Sequence, residues 1–241
     1  MKVALLGYGK MGRLIEKVLE ERGDEVILKV DVDNRDSVND EQLKAADVAI
    51  EFSTPQVAAD NCKWCFRCGV PVVSGTTGWM DRLDEVLECC KVEDCGFFYA
   101  SNYSIGVNIF FRLNKILASM MSEFGEYAAL LEETHHIHKL DAPSGTAITI
   151  AGGIIENHCG YDGWKLSDDG RADERCLPVI ARREGEVPGV HRVTYRSGVD
   201  KIFIEHSAFS REGFARGAVA AAVFMNGRRG VYSMDDLLKI K

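Results

Sequence analysis

The sequence contains no run of about 18 apolar residues, so it offers no segment that could cross a bilayer as a helix. It also lacks a basic excess. Twenty-nine lysines and arginines stand against 37 acids, a net charge of −8 that argues against a nucleic-acid partner. Internal repeats and low-complexity stretches are missing, and the opening MKVALLGYGKMG runs straight into a strand and turn rather than the pattern of a signal peptide. We therefore expect a cytoplasmic protein whose eight cysteines are free thiols. Prolines are few, five in all, and two of them, Pro55 and Pro143, each close an extended run.

What is present fits one large or two modest globular domains in 241 residues. Lys2 to Leu6 reads as a buried strand; Gly7, Tyr8, Gly9, Lys10, Met11 and Gly12 follow as G-x-G-x-x-G, and a helical pattern then runs to Gly23. Strand, glycine loop and helix in this order point to dinucleotide binding. The second strand, Glu25 to Val32, leads to Asp31 and Asp33, and an acid about twenty positions past the glycines is expected to bind the adenosine ribose. Asp33 is preferred, as the residue at the strand's carboxyl end. Further βα units follow: Ala46–Phe52 with the helix Gln56–Cys68, Val70–Ser74 with Asp81–Cys90, and the short strand Phe97–Ala100. Ser53, Thr54 and Gly75 to Gly78 should border the nicotinamide, since ligands of open parallel sheets lie beyond the strands' carboxyl ends. Cys62, Cys65 and Cys68 make a CxxCxxC string, but on a helix this spacing lays three small hydrophobes along one face, and no fourth cysteine completes a cluster motif.

The most concentrated chemistry is in Glu133-Thr-His-His-Ile-His-Lys-Leu-Asp-Ala-Pro-Ser-Gly-Thr-Ala147. A strand is predicted from Tyr127 to about His138, with Ala129, Leu131, Glu133 and His135 on one face; His135, Ile137 and Lys139 would point the same way. After Pro143, Ser144 is the expected N-cap of a helix opening with Gly145 and Thr146, whose first N–H groups and dipole suit a carboxylate. An imidazole, an ammonium and a helix N-terminus together suit a small anion that gains or loses a proton. Metal ligation by His135 with His138, or His136 with His138, lacks further ligands, and no metal is expected. A long helix, Val107–Phe124, precedes this strand. A polar loop-like stretch, Cys159–Arg175, follows the helix, and then come strands Pro178–Arg183, Val190–Arg196 and Lys201–Ser207 and an Ala-rich helix, Ala215–Met225.

The string EETHHIHKLDAPSGTA resembles the signature of the 4-hydroxy-tetrahydrodipicolinate reductase family of lysine and diaminopimelate biosynthesis. The resemblance extends through FSTP, GTTG, ASNYSIGVN and FSREGFARGAVAAA. It implies hydride transfer from NADH or NADPH to a cyclic dicarboxylate with loss of water, and a homotetramer. Carried over by matching positions, it implies that His135 and Lys139 are catalytic and that His136, Gly145 and Thr146, with Ser144 of the same helix start, bind substrate. Gly7 to Gly12, Asp33, Gly75, Thr76, Thr77, Ala100, Ser101, Asn102 and Tyr103 would hold the cofactor. The glycine loop departs from the family's common form by being one residue shorter and by Lys10 where arginine is usual. The run Asp33-Asn34-Arg35 sets the acid two positions before the arginine, so a preference for NADH is expected.

The fold expected is α/β: a Rossmann-type nucleotide domain with a parallel sheet (1–105, completed by 214–241) and a second α+β domain with a mixed open sheet for substrate binding and oligomerisation (106–213). The rival readings are another NAD(P)-dependent dehydrogenase of a small anionic substrate and a non-catalytic NADH sensor; only the HHxHKxDAPSGT string separates the first of these.

Overall fold

The computed structural model describes residues 1–239. The chain divides into two compact units, one of Met1–Ile105 with Glu212–Lys241, the other of Gly106–Arg211.

The first unit is built on six parallel strands in the order β11-β5-β4-β3-β1-β2, formed by β1 (Lys2–Leu6), β2 (Glu25–Val30), β3 (Val48–Glu51), β4 (Val72–Ser74), β5 (Gly96–Tyr99) and β11 (Gly230–Tyr232). Its central strands read as unbroken apolar runs because both faces are covered. In β1, Ala4 and Leu6 enter one core and Val3 and Leu5 the other. The first core is closed by α3 (Pro55–Arg67) and α4 (Leu83–Val92), with Leu43 of the short α2 (Asp40–Lys44). The second is closed by α1 (Lys10–Arg22), α7 (Glu212–Met225) and α8 (Met234–Leu238). The alanines of α7 permit close packing, and Gly217 is obligatory: a Cβ there would lie 1.7 Å from the carbonyl oxygen of Tyr103.

The second unit holds a five-stranded sheet in the order β10-β9-β6-β8-β7, from β6 (Ala128–His135), β7 (Gly163–Leu166), β8 (Cys176–Arg183), β9 (Gly189–Arg196) and β10 (Lys201–Ala208). It is mixed: β6 pairs antiparallel with β9 and parallel with β8. Helices α5 (Ile105–Met121) and α6 (Gly145–Ile155) share one apolar core with it through Phe110, Ala118, Ile150 and Ile154 against Leu131, Val179, Val193 and Tyr195. Alternate residues of β6 and β9 are buried, as a sheet covered on one face requires.

Three expectations need correction, and one strand lies where the sequence set no expectation. The strand through His138 ends at His135, because His136 to Lys139 form a turn closed by the Lys139 N–H on the His136 carbonyl at 3.1 Å. Ile137 is consequently 60% exposed and does not share the buried face of His135. The second strand stops at Val30 rather than Val32, where Asn34 turns the chain by accepting from the Asp31 N–H. The stretch Cys159–Arg175 contains a strand, β7, and the segment after Met225 supplies β11, the sixth strand of the first sheet. Both are short, three or four residues, too brief for alternation to register.

Candidate active site

The first unit has a cleft of about 500 Å³ at the carboxyl ends of its strands, walled by the glycine loop, the end of β2 and the Phe52–Thr54 segment. Each loop glycine has its own reason. Gly7 has φ +94° and a Cβ there would strike the Phe52 carbonyl oxygen at 2.1 Å; at Gly12 a Cβ would meet the Gly7 carbonyl oxygen at 2.4 Å. A Cβ at Gly9 would meet nothing within 4 Å. Gly9 is also the N-cap of α1, which has neither a side-chain cap nor an acid in its first turn. The positive end of a 13-residue helix thus opens on the cleft without a built-in counter-charge, the arrangement that takes a diphosphate. These features fit a dinucleotide.

Of the two candidate acids, Asp31 lines the cleft and Asp33 is not among its walls. The reason is the early end of β2, which leaves Asp31 as the first residue past the strand. Arg35 also lines the cleft, its guanidinium 3.9 Å over the Trp64 ring. Tyr8 lines it too, with its hydroxyl on Glu16. Ser53 and Thr54 belong to the cleft walls, whereas Gly75–Thr77 and Ala100–Tyr103 do not. Tyr103 is turned into the core, its hydroxyl donating to the Ser74 carbonyl at 2.7 Å. Lys10 is exposed and Met11 half-buried at the start of α1.

Cys62 and Cys65 are fully buried, and burial pushes both thiols up, away from the thiolate that cluster ligation needs.

In the second unit a single carboxylate organises the chemistry. Glu133 and His135 alternate along β6 and face the same way, and the register sets His191 of β9 opposite Glu133 and Arg183 of β8 opposite His135. Glu133 is 1% exposed. Its Oε1 accepts from the Ser144 N–H at 2.9 Å and from Arg183 Nη2 at 3.3 Å; its Oε2 accepts from Ser144 Oγ. Nδ1 of His135 lies 3.3 Å from Oε2, within ion-pair range but off the line of a hydrogen bond, and Nε2 of His191 lies 3.6 Å from the same oxygen. Burial pushes the Glu133 carboxyl up, but the imidazoles of His135 and His191 and both donors of Ser144 outweigh it, so the group is held well below the usual carboxylate range. Burial pushes the His191 imidazole down, against the pull of Glu133.

Ser144 joins this carboxylate to α6. Its Oγ accepts from the Ala147 N–H at 3.1 Å, capping the helix, whose first turn carries no acid. Arg183 joins it to the turn that bears Lys139: besides Glu133, the guanidinium donates to the Lys139 carbonyl at 3.2 Å and to that of Asp141. Lys139 Nζ is 2.9 Å from Asp141 Oδ1, and this ammonium holds the Asp141 carboxyl low. His136 is half-buried beside the exposed His138, ring centroids 6.1 Å apart. At His135, Nε2 faces the start of β9, where a Cβ on Gly189 would come within 3.1 Å of it. The absence of a side chain at Gly189 keeps that nitrogen uncrowded.

Sequence reasoning missed Glu133, His191 and Arg183 as site members. The signal for Glu133 was its place two residues before His135 on one strand face; His191 and Arg183 arrive only through pairing of distant strands. Ligand atoms of Glu133, His135 and His191 lie within 4.8 Å of one another, close enough to hold a divalent ion. Because Arg183 and Ser144 already occupy the carboxylate, the set is organised as a hydrogen-bonded and ion-paired network.

Residues 1–103 match the family model "Dihydrodipicolinate reductase, N-terminus" and residues 106–238 the model "Dihydrodipicolinate reductase, C-terminus". The chain is 49% identical over 240 residues to the 4-hydroxy-tetrahydrodipicolinate reductase of Christiangramia forsetii, covering 99% of this chain and 98% of that protein. It is 38% identical over 201 residues to the Methanopyrus kandleri protein of the same name, covering 81% and 72%. Among solved structures, dihydrodipicolinate reductase from Paenisporosarcina sp. TG-14 with dipicolinate bound superposes with a TM-score of 0.77 at 22% identity, covering 97% of each chain; it shares the fold.

Proposed function

The chain belongs to the dihydrodipicolinate reductase family, and from that premise we propose how its own residues carry the reaction. The reaction is the NAD(P)H-dependent reduction of 4-hydroxy-tetrahydrodipicolinate to tetrahydrodipicolinate, with loss of water, in lysine and diaminopimelate biosynthesis. Bound NAD(P)H supplies the hydride. Gly7 to Gly12 and the start of α1 hold its diphosphate, and Asp31, in place of the expected Asp33, takes the adenosine ribose.

The observation that carries the assignment of roles is the Glu133-centred cluster, which fixes an imidazole, a lysine-bearing turn and a helix N-terminus to one buried carboxylate. His135, oriented by Glu133 at Nδ1, gives a proton from Nε2 to the substrate. Lys139 neutralises one substrate carboxylate and the start of α6 at Gly145 and Thr146 receives the other, with His136 at the rim and Ser144 fixing that helix start through its own donors to Glu133. The dipicolinate held by the Paenisporosarcina protein is a planar dicarboxylate of the size this pairing suits. Asp31 repels a 2′-phosphate while Arg35 in the same cleft attracts one, so NADH is preferred with NADPH still accepted. The enzyme works as a homotetramer in the cytoplasm, a setting in keeping with eight free cysteines.

The test is the loss of reduced-nicotinamide absorbance when freshly generated 4-hydroxy-tetrahydrodipicolinate is added, with NADH and NADPH in separate runs. Oxidation that falls by about 10²-fold or more in His135→Gln, with cofactor affinity kept, supports the assignment. A His135→Gln chain as active as the parent overturns it.

A further inference from the structure

Glu51, the last residue of β3, is a second buried carboxylate, 0% exposed, and its partners are neutral donors. Oε1 accepts from the Ser53 N–H at 3.0 Å, from Thr76 Oγ1 at 2.9 Å and from Ser53 Oγ; Oε2 accepts from Ser74 Oγ at 2.7 Å. Two of these hydroxyls also take an incoming bond. Ser53 Oγ itself accepts from Asn61 Nδ2 at 3.3 Å, and Thr76 Oγ1 accepts from the Ser53 N–H at 2.8 Å, so each has its one proton to give to Glu51. Every bond assigned at the two oxygens is one that Glu51 receives, the pattern of an acceptor-only carboxylate. Burying an anion among dipoles costs several kcal/mol, and a glutamine could tie the same segments together without that cost.

Its place in the sheet gives the charge a use. Strand β1 is flanked by β2 on one side and β3 on the other, so the chain order reverses there, which is where a dinucleotide straddles an open parallel sheet. With Asp31 at the end of β2 facing the adenosine half, the nicotinamide half extends over the ends of β3 and β4. Ser53 and Thr54 line that side of the cleft, and Glu51 lies directly beneath them. Loss of a hydride leaves a nicotinamide ring with one positive charge. We propose that Glu51 is the buried counter-charge for that ring, favouring the oxidised over the reduced dinucleotide and so lowering the barrier to hydride release. This rests on the reading of the cleft as the NAD(P)H site.

The experiment is titration of the full-length protein with NAD+ and with NADH, without substrate, by calorimetry. Glu51→Gln should weaken NAD+ relative to NADH by roughly tenfold, the scale of one charge acting on another inside a protein at an effective dielectric of ~20. Ser74→Ala removes the one donor at Oε2 among the described residues and leaves the charge less neutralised, so it should move the same ratio the opposite way, by a smaller factor. A merely structural role would change both affinities alike. Opposite movements of the ratio support the proposal; a ratio that holds, or that moves the same way in both variants, overturns it. If Glu51→Gln does not fold, Ser74→Ala decides alone. Failure of the parent protein to bind either dinucleotide would remove the cleft reading itself.

Discussion

Glu133 serves groups from four segments, and that makes its protonation state a property of the whole site. Its carboxyl is held low in the folded protein, so the stability it provides is fully present above the ordinary glutamate range, about pH 4.3, and is lost as the pH falls further. His191 pushes the same way at a higher pH: burial lowers its folded value, so below about pH 6.5 the unfolded chain gains a proton that the folded one resists. Glu133→Gln should therefore cost kcat about 10²-fold by releasing His135 and the Ser144 cap together. Its stability deficit should be fully present down to about pH 4.3 and shrink below that, as read by urea midpoints at pH 7 and pH 3. A deficit independent of pH would mean that Glu133 acts by shape and not by charge. In the nucleotide cleft, Asp31→Asn should lower the Michaelis constant for NADPH relative to NADH while Asp33→Asn leaves the ratio alone, which steady-state kinetics with the two cofactors would reveal.

At the level of elements, the tightest glycine contact among the described residues is where helix α7 meets the backbone at Tyr103. Gly217→Ala forces a Cβ to within 1.7 Å of the Tyr103 oxygen, so α7 must lift from the second core of its unit, and about 3 kcal/mol of stability should go, measured as a lower denaturation midpoint. If the variant were as stable as the parent, α7 would not be packed on that backbone. The long apolar helices and strands were legible because their periodicity repeats over many residues: α1, α3, α5, α7 and the strands β8 to β10 are where the hydrophobic pattern puts them, within a few residues. What escaped had a physical cause in each case. Strands β7 and β11 are too short to show alternation and are selected by their neighbours in the sheet. The strand with His135 ends early because Arg183, almost fifty positions later, pins the following turn through the carbonyls of Lys139 and Asp141. Asp33 looked better placed than Asp31 only while β2 was taken to run two residues further. The imidazoles, Glu133 and the helix start at Ser144 stand in one continuous string, whereas His191 and Arg183, which meet that carboxylate, became visible only with the register of β6 against β8 and β9.

For the molecule as a whole, the second sheet raises the question of what covers its outer face. One face of that sheet packs on α5 and α6. On the other, register aligns Phe203 of β10 with Thr194 of β9, and Thr194 with Leu130 of β6, a row of two apolar side chains about a threonine, ending in a phenylalanine that is 52% exposed. The next row across is charged, with Arg192 bonded to Glu205 at 2.6 Å. A stripe of apolar side chains beside one of paired charges can meet its own copy about a two-fold axis, apolar on apolar, which is how closed symmetric oligomers are built. The expected homotetramer would use this face. Light scattering should then give four times the 26.7 kDa of the chain, and Phe203→Asp should bring the mass down while leaving the circular dichroism of each chain unchanged. A tetramer that survives Phe203→Asp would move the interface elsewhere. A parent protein that stays at 26.7 kDa would show instead that a sheet of this composition can face water on one side, as antiparallel-edged sheets often do.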